Sequence, residues 1–92
     1  MQKALIMNKN DNVAVLLKET LPGEKLEIKT NDKNIVVTVK QKISFGHKIA
    51  IKKISTGKKI IKYNEVIGKA ISDIDTGEHV HIHNVESIRV KE

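Results

Sequence analysis

The segment Ile54-Ser55-Thr56-Gly57-Lys58-Lys59-Ile60 returns twenty residues later as Ile74-Asp75-Thr76-Gly77-Glu78-His79-Val80. Each copy has an apolar residue three positions before its glycine and another three positions after it. Because glycine adopts positive φ angles without steric cost, each copy predicts a tight turn closed by an apolar contact. Leu21-Pro22-Gly23-Glu24-Lys25-Leu26 is a looser third copy. Three such turns between short strands predict compact, bent β structure rather than a flat sheet.

The apolar residues are mostly β-branched, and they alternate with polar residues, which is typical of half-buried strands. This pattern predicts strands at 4–7, 13–17, 26–30 and 35–39, with turns at 8–12 and 31–34. A short helix over 11–20 is the alternative. Val13, Val15 and the early arrival of Pro22 favour the strand there.

The length and composition indicate one small all-β domain over residues 1–92. A chain of this size buries only about 60–65% of its unfolded surface, so we expect no deep catalytic cleft of its own. There is no cysteine, which excludes disulfides, thiolate metal sites and a cysteine nucleophile. No apolar run is long enough for a signal peptide or a membrane span, so we expect a cytoplasmic protein.

The net charge of +6 raises the question of nucleic-acid binding. The lysines are spread along the chain, and Phe45 and Tyr63 are its only aromatic residues. Single-strand binders need aromatic stacking platforms, which this chain lacks. Nucleic acid is therefore not the expected partner, and the positive charge fits carboxylate substrates or an acidic protein surface equally well.

Three of the four histidines occupy alternate positions, His79, His81 and His83. On a strand they would share one face, with Val80 and Ile82 on the other. Neighbouring imidazoles would lie roughly 6.6 Å apart, which lets two of them converge on one metal ion, whereas the outer pair is roughly 13 Å apart. A third ligand would have to come from elsewhere. The competing interpretation is an ordinary solvated polar face.

Other catalytic motifs are incomplete. The serines lie in no nucleophile elbow, and Gly57-Lys58 lacks the upstream glycine of a phosphate-binding loop. Asp73 and Asp75 lie beside a predicted turn, where acidic residues are common for structural reasons.

A longer pattern resembles a known family. Its residues are His47-Lys48-Ile49-Ala50, Ile54, Gly57, Ile61-Lys62-Tyr63, Glu65-Val66-Ile67-Gly68-Lys69-Ala70, Gly77-Glu78 and His81-Ile82-His83-Asn84. In order and spacing they resemble the SAF-type N-terminal module of altronate and galactarate dehydratases, and the small subunit of sulfolactate sulfo-lyase is similar. The resemblance is strongest over 46–84, and it implies a β-clip fold.

In that family the module accompanies a much larger part that carries most of the active site, with a divalent metal such as iron. The reaction is loss of water from a sugar acid. The resemblance therefore implies a small subunit or detached N-terminal domain of a hydro-lyase, which helps to form or close the active site of a large partner subunit. We expect the chain to be non-catalytic alone, with the metal shared with or held by the partner. A homo-oligomer is compatible with this interpretation. The alternative is a stand-alone carbohydrate- or anion-binding module without catalysis.

The resemblance also assigns roles to residues by position. The residues that it implies face the active site are His47, His81, His83 and Asn84. It implies Lys48 and Lys62 as substrate-binding residues, and His81 and His83 as metal ligands. Gly57, Gly68 and Gly77 carry over as structural glycines. Since His79 lies outside the family pattern, we expect it to matter less than His81 and His83.

Overall fold

The computed structural model describes residues 3–30 and 34–87, and within these ranges it contains strands and turns but no helix. The prediction of an all-β domain is confirmed. The strands are β1 (Ala4–Leu5), β2 (Val13–Leu16), β3 (Lys25–Lys29), β4 (Asn34–Thr38), β5 (Lys48–Ala50), β6 (Lys59–Lys62), β7 (Glu65–Ala70), β8 (His79–Val80) and β9 (Val85–Ser87).

These strands form three small sheets. The central sheet has the order β1-β2-β5-β8, the hairpin β3-β4 forms the second sheet, and β6-β7-β9 forms the third. Every described strand pairing is antiparallel. The predicted strands at 13–17, 26–30 and 35–39 are present with ends shifted by about one residue, and the one at 4–7 is shortened to Ala4–Leu5. The helix considered over 11–20 does not form, and most of the predicted turn at 31–34 lies outside the described residues.

Each face of the central sheet packs against one of the other sheets. One core joins this sheet to the β3-β4 hairpin, and it includes Leu16, Leu26, Ile28, Val37 and Ile49. The other core joins it to the third sheet, and it includes Val13, Ala50, Ile60, Ala70 and Val80. Neighbouring residues of β5 enter different cores because successive side chains of a strand point to opposite faces. The domain is therefore a stack of three thin layers with both faces of the central layer buried.

Four tight turns with the same geometry connect the layers: Leu21–Glu24, Ser44–His47, Ser55–Lys58 and Asp75–Glu78. In each, the amide of the fourth residue donates to the carbonyl of the first at 3.0–3.1 Å. The third residue is a glycine with φ between +84° and +94°, as a type II turn requires. The three predicted glycine turns are present. The sequence interpretation missed Ser44-Phe45-Gly46-His47, which lacks the Thr-Gly pair.

Candidate functional site

The histidines come together because β5 pairs with β8. In the antiparallel register Lys48 lies opposite Val80 and Ile49 lies opposite His79. His47 immediately precedes β5, and His81 immediately follows β8. Extending the register by one residue therefore places His47 opposite His81, so that two segments distant in the chain supply one cluster.

Three imidazole rings are stacked at this point. The ring centroids are 4.4 Å apart for His47 and His81, 5.0 Å for His47 and His79, and 5.2 Å for His79 and His81. Nδ1 of His47 lies 2.9 Å from Nε2 of His79, which is hydrogen-bonding distance when one of the two nitrogens carries the proton. One ring nitrogen from each histidine lies within 4.8 Å of the other two, and all three side chains are half-buried. We call His47, His79 and His81 the histidine trio.

The strand considered through His79, His81 and His83 does not extend that far. Strand β8 ends at Val80, and residues 81–84 form a turn in which the Asn84 amide donates to the His81 carbonyl at 3.1 Å. The turn leaves the side chain of Ile82 83% exposed instead of placing it on a core face. It also brings the His83 ring beside His79, tilted by 41° at a centroid distance of 5.2 Å. His83 therefore lies at the edge of the cluster and outside the trio.

Asn84 holds this turn in place. Its side chain is buried, with 7% of its surface exposed. Oδ1 accepts a hydrogen bond from the His81 amide at 2.9 Å, and Nδ2 donates to the His79 carbonyl at 2.7 Å. The His79 amide in turn donates to Oε1 of Gln41 at 2.9 Å. Both polar groups of Asn84 thus bind the backbone of the trio, which fits a positioning residue better than a group that contacts substrate.

The surroundings of the cluster favour uncharged imidazoles. The pKa of His79 is lowered from 6.5 to about 4, first by burial and then by the neighbouring imidazoles of His47, His81 and His83 and by Lys48. The pKa of His81 is also lowered, by loss of solvation and then by the positive charges that His47 and Lys48 can carry. At neutral pH both rings are therefore neutral and offer a nitrogen lone pair.

Lys48 adds positive charge near these rings, and Lys62 adds positive charge near Lys48. Burial lowers the pKa of Lys48, and the charge of Lys62 lowers it further. Lys62 closes β6, and its Nζ lies 5.1 Å from the ring centroid of Tyr63. Within residues 3–30 and 34–87, neither lysine forms an ion pair with an acidic side chain. An anion such as a carboxylate is the natural complement of this surface.

The glycines that the resemblance marked have distinct surroundings. A Cβ atom on Gly77 would collide with the Thr38 carbonyl oxygen, and on Gly68 it would lie 2.6 Å from the Glu86 carbonyl oxygen. At Gly57 nothing lies within 4 Å of that position, and only its φ of +86° distinguishes it. These glycines shape the turns and the close approach of β9, and they do not line the histidine trio.

A cleft of about 930 Å³ lies elsewhere, on the side of the β3-β4 hairpin. Its walls include Ile6, Ile35, Ile51, Lys9, Lys29 and Lys52. No histidine lines it, so its size alone does not connect it with the chemistry of the trio.

A search of the described residues for a helix that could span a membrane finds none.

The structure thus gathers His47 and His81 at one point, with His83 and Asn84 beside them. Lys48 acts on the cluster through its charge, and Lys62 acts on Lys48 in the same way. The structure also adds His79, whose place at alternate spacing was visible in the sequence although it lies outside the resemblance. Gln41 had no sequence signal, because its role depends on a hydrogen bond to a residue 38 positions away.

Residues 2–88 match the family described as the altronate/galactarate dehydratase SAF domain. The altronate dehydratase of Bacillus subtilis is 37% identical over 87 residues, which are 95% of this chain but 17% of that protein. The (2R)-sulfolactate sulfo-lyase subunit alpha of Chromohalobacter salexigens is 34% identical over 88 residues, which are 92% of this chain and 94% of that subunit. The same subunit of Paracoccus pantotrophus is 39% identical over 62 residues, 67% of this chain and 92% of that subunit.

Proposed function

Because the chain belongs to the altronate/galactarate dehydratase SAF-domain family, we propose that it is the small subunit or N-terminal module of a sugar-acid hydro-lyase. It spans 17% of the Bacillus subtilis dehydratase, so the remaining machinery would come from a large partner. The two sulfo-lyase relatives are themselves named as subunits, and this chain covers 92% and 94% of their length. They support the view that such a module can work as a chain of its own beside a larger one.

The single observation that carries the proposal is the histidine trio with Lys48 beside it. Dehydration of a sugar acid removes a proton from the carbon next to the carboxylate and expels a hydroxyl group from the following carbon. The hydroxyl leaves as water after it takes up a proton, and the resulting enol tautomerises to a 2-keto-3-deoxy acid. A neutral imidazole is suited to accept the first proton. We assign this work to His83, which lies outside the trio, and place His47 and His81 beside the reacting carbons as ligands of a metal ion. Asn84 would position them, and Lys48 and Lys62 would bind carboxylate.

A divalent metal such as iron fits the donor set, since imidazole nitrogens are ligands for transition metals. When bound, such a metal would act as a Lewis acid for the leaving hydroxyl group. No carboxylate belongs to the trio, so we propose that the partner contributes further ligands to a shared ion. The chain's own residues would orient the substrate and transfer its protons.

The partner would cover the end of the molecule that carries the trio. Phe45 is 70% exposed in the turn that leads to His47, and Ile82 is 83% exposed between His81 and His83. Two large apolar side chains this exposed, beside the histidines in the chain, are suited to anchor an interface. Lys48 and Lys62 give the same region positive charge. We therefore propose an acidic partner surface with apolar sockets, which would enclose the histidines together with the substrate.

The test is reconstitution. We expect the isolated chain to give no turnover of altronate, galactarate or sulfolactate with added Fe²⁺, and a cognate large subunit to restore turnover of one of them. His81→Ala should then lower the rate by about 10²–10⁴-fold, as expected for loss of a positioned acid–base or electrostatic group at the reacting centre. Lys48→Ala should raise KM, whereas Lys25→Ala, a matched change at an exposed position of β3, should leave KM unchanged.

Turnover by the isolated chain would contradict the need for a partner. Wild-type turnover of the reconstituted His81→Ala enzyme would contradict the catalytic role of the site. The second candidate function, a carbohydrate- or anion-binding module without catalysis, is favoured by the cationic Lys48 and Lys62. Saturable binding of a sugar acid by the isolated chain, with no turnover in the presence of the large subunit, would establish this second function instead.

A further inference from the structure

We propose that His47, His79 and His81 form a divalent transition-metal site that this chain carries by itself. The site differs from the one that the resemblance implies, because it uses His79 and leaves His83 out. It deepens the proposed function by naming the ligands on this chain, yet the binding that it predicts requires no partner.

The spacing of the ring nitrogens is close to that around a bound ion. Ligand nitrogens about 2.0–2.1 Å from a tetrahedral metal lie about 3.3–3.4 Å from one another. In the trio the His47–His79 nitrogen pair lies 2.9 Å apart, and all three candidate nitrogens lie within 4.8 Å of one another. The three rings are stacked with interplanar angles of 11–26°, and an imidazole lone pair lies in the plane of its ring. Binding of one ion therefore requires the side chains to rotate so that the three nitrogens point to a common centre.

The backbone around the trio is already fixed. His47 is the last residue of a hydrogen-bonded turn, and its carbonyl accepts from the Leu16 amide at 2.9 Å. Asn84 bonds both the His81 amide and the His79 carbonyl. In the equivalent turns at 21–24 and 75–78, the fourth residue is a glutamate whose side chain bonds the first amide of its own turn. His47 replaces that glutamate, so its ring is available to the trio.

The donor atoms select the class of metal. Neutral imidazoles suit Zn²⁺, Co²⁺, Ni²⁺, Cu²⁺ and Fe²⁺, whereas Mg²⁺ and Ca²⁺ prefer oxygen ligands. Three histidines that leave further positions to solvent or substrate are typical of catalytic rather than structural sites. The half-burial of the trio at one end of the sheet fits such an open site.

The charge around the site selects the ligand in the open position. Three neutral imidazoles leave both positive charges of the ion uncompensated, and Lys48 adds another that acts on His79 and His81. The free position should therefore favour an anion such as hydroxide or a carboxylate. A sugar acid carries a carboxylate and therefore meets this preference for an anion. The preference itself follows from the charges around the site and does not depend on the proposed function.

The experiment measures metal binding by the isolated chain after removal of any polyhistidine tag. Calorimetric titration with Zn²⁺ should give one saturable site, and Co²⁺ should develop visible absorption bands that Zn²⁺ abolishes. His79→Ala should weaken Zn²⁺ binding by at least about 100-fold, since loss of a mere supporting group already costs about 10–100-fold. His83→Ala, in the same turn but outside the trio, should weaken it by less than about tenfold.

Circular dichroism of each variant shows whether it is folded. The imidazole NMR shifts of the wild-type chain on addition of Zn²⁺ are a second measurement of binding, and this one needs no mutation. Shifts at His47, His79 and His81 are expected. Absence of saturable binding, or a variant pattern in which His83→Ala is severe and His79→Ala mild, would overturn the proposal. Neither result would affect the reconstitution test, so failure of this site and failure of the proposed function are distinguishable.

Discussion

At the scale of single residues, His79 shows how its surroundings change an ordinary side chain. Its ring lies against the rings of His47, His81 and His83, and its side chain is half-buried in β8. A positive charge on its ring would be poorly solvated and would repel Lys48. The folded chain therefore keeps His79 neutral, whereas the unfolded chain protonates it at its ordinary pKa.

This difference predicts a pH dependence of stability in the presence of a chelator. Since the pKa of His79 is about 4 when folded and 6.5 otherwise, the unfolded state binds more protons between these values. The free energy of unfolding should therefore fall as the pH drops below 6.5, and level off below about 4 as far as His79 is concerned. His81 contributes in the same direction.

Urea denaturation at several pH values measures this effect. The window from pH 6.5 to 4.5 is the informative one, because Glu24 and Asp73, whose pKa values are lowered from 4.5 and 3.8, add their own acid destabilisation below it. His79→Gln should make the slope in this window shallower. Equal slopes for the wild type and His79→Gln would contradict the prediction.

At the scale of elements, the four glycine turns have one geometry but different surroundings. Gly57 and Gly77 have similar φ angles of +86° and +94°. A Cβ atom would meet open space at Gly57, whereas at Gly77 it would collide with the Thr38 carbonyl oxygen of the neighbouring hairpin. The two positions therefore separate the cost of backbone conformation from the cost of a tertiary clash.

We expect Gly57→Ala to lower the free energy of unfolding by roughly 1–2 kcal/mol, the cost of a left-handed conformation for a residue with a Cβ atom. Gly77→Ala should cost more, because the same conformational cost is joined by displacement of the Thr38 backbone. Urea denaturation of both variants at neutral pH measures the difference. Equal losses would mean that the hairpin moves aside freely and that the close approach at Gly77 is unimportant.

At the scale of the whole molecule, one end combines the trio, two lysines and two exposed apolar side chains. The proposal that this end faces the partner predicts that Phe45→Ser and Ile82→Ser weaken binding of the large subunit by at least about 30-fold each, the effect of losing an interface anchor of about 2 kcal/mol. The stability of the free chain should change little, because both side chains are exposed.

Val36 provides the matched control for this experiment. It is 63% exposed on β4 of the hairpin, which does not carry the histidines. Val36→Ser should leave the affinity for the large subunit unchanged in the same surface-plasmon or calorimetric measurement. If all three variants lose affinity equally, or none of them does, the partner does not cover the histidine end specifically.

Much of the fold follows from local patterns in the chain. The β-branched residues and their alternation with polar ones predicted β3 and β4, because successive side chains of a strand point to opposite faces. Val13, Val15 and the early Pro22 favoured a strand at β2. A Thr-Gly pair with apolar residues three positions from the glycine predicted the turns at Gly57 and Gly77, and Pro22-Gly23 predicted a third. The turn at Ser44–His47 was missed because it lacks the Thr-Gly pair, although Ile43 and Ile49 flank Gly46 at the same spacing.

Local sequence also determined which residues are available for chemistry: four histidines, no cysteine and a lysine-rich surface. It did not determine which of the histidines meet. His47 and His79 are 32 positions apart, and they meet only because β5 pairs with β8 in one register and the turn at 81–84 ends the strand after Val80. The tertiary structure decided which histidines form the trio. Strand pairing and burial bring together segments that are far apart in the chain, and nothing in the sequence of either segment shows which other segment it will contact.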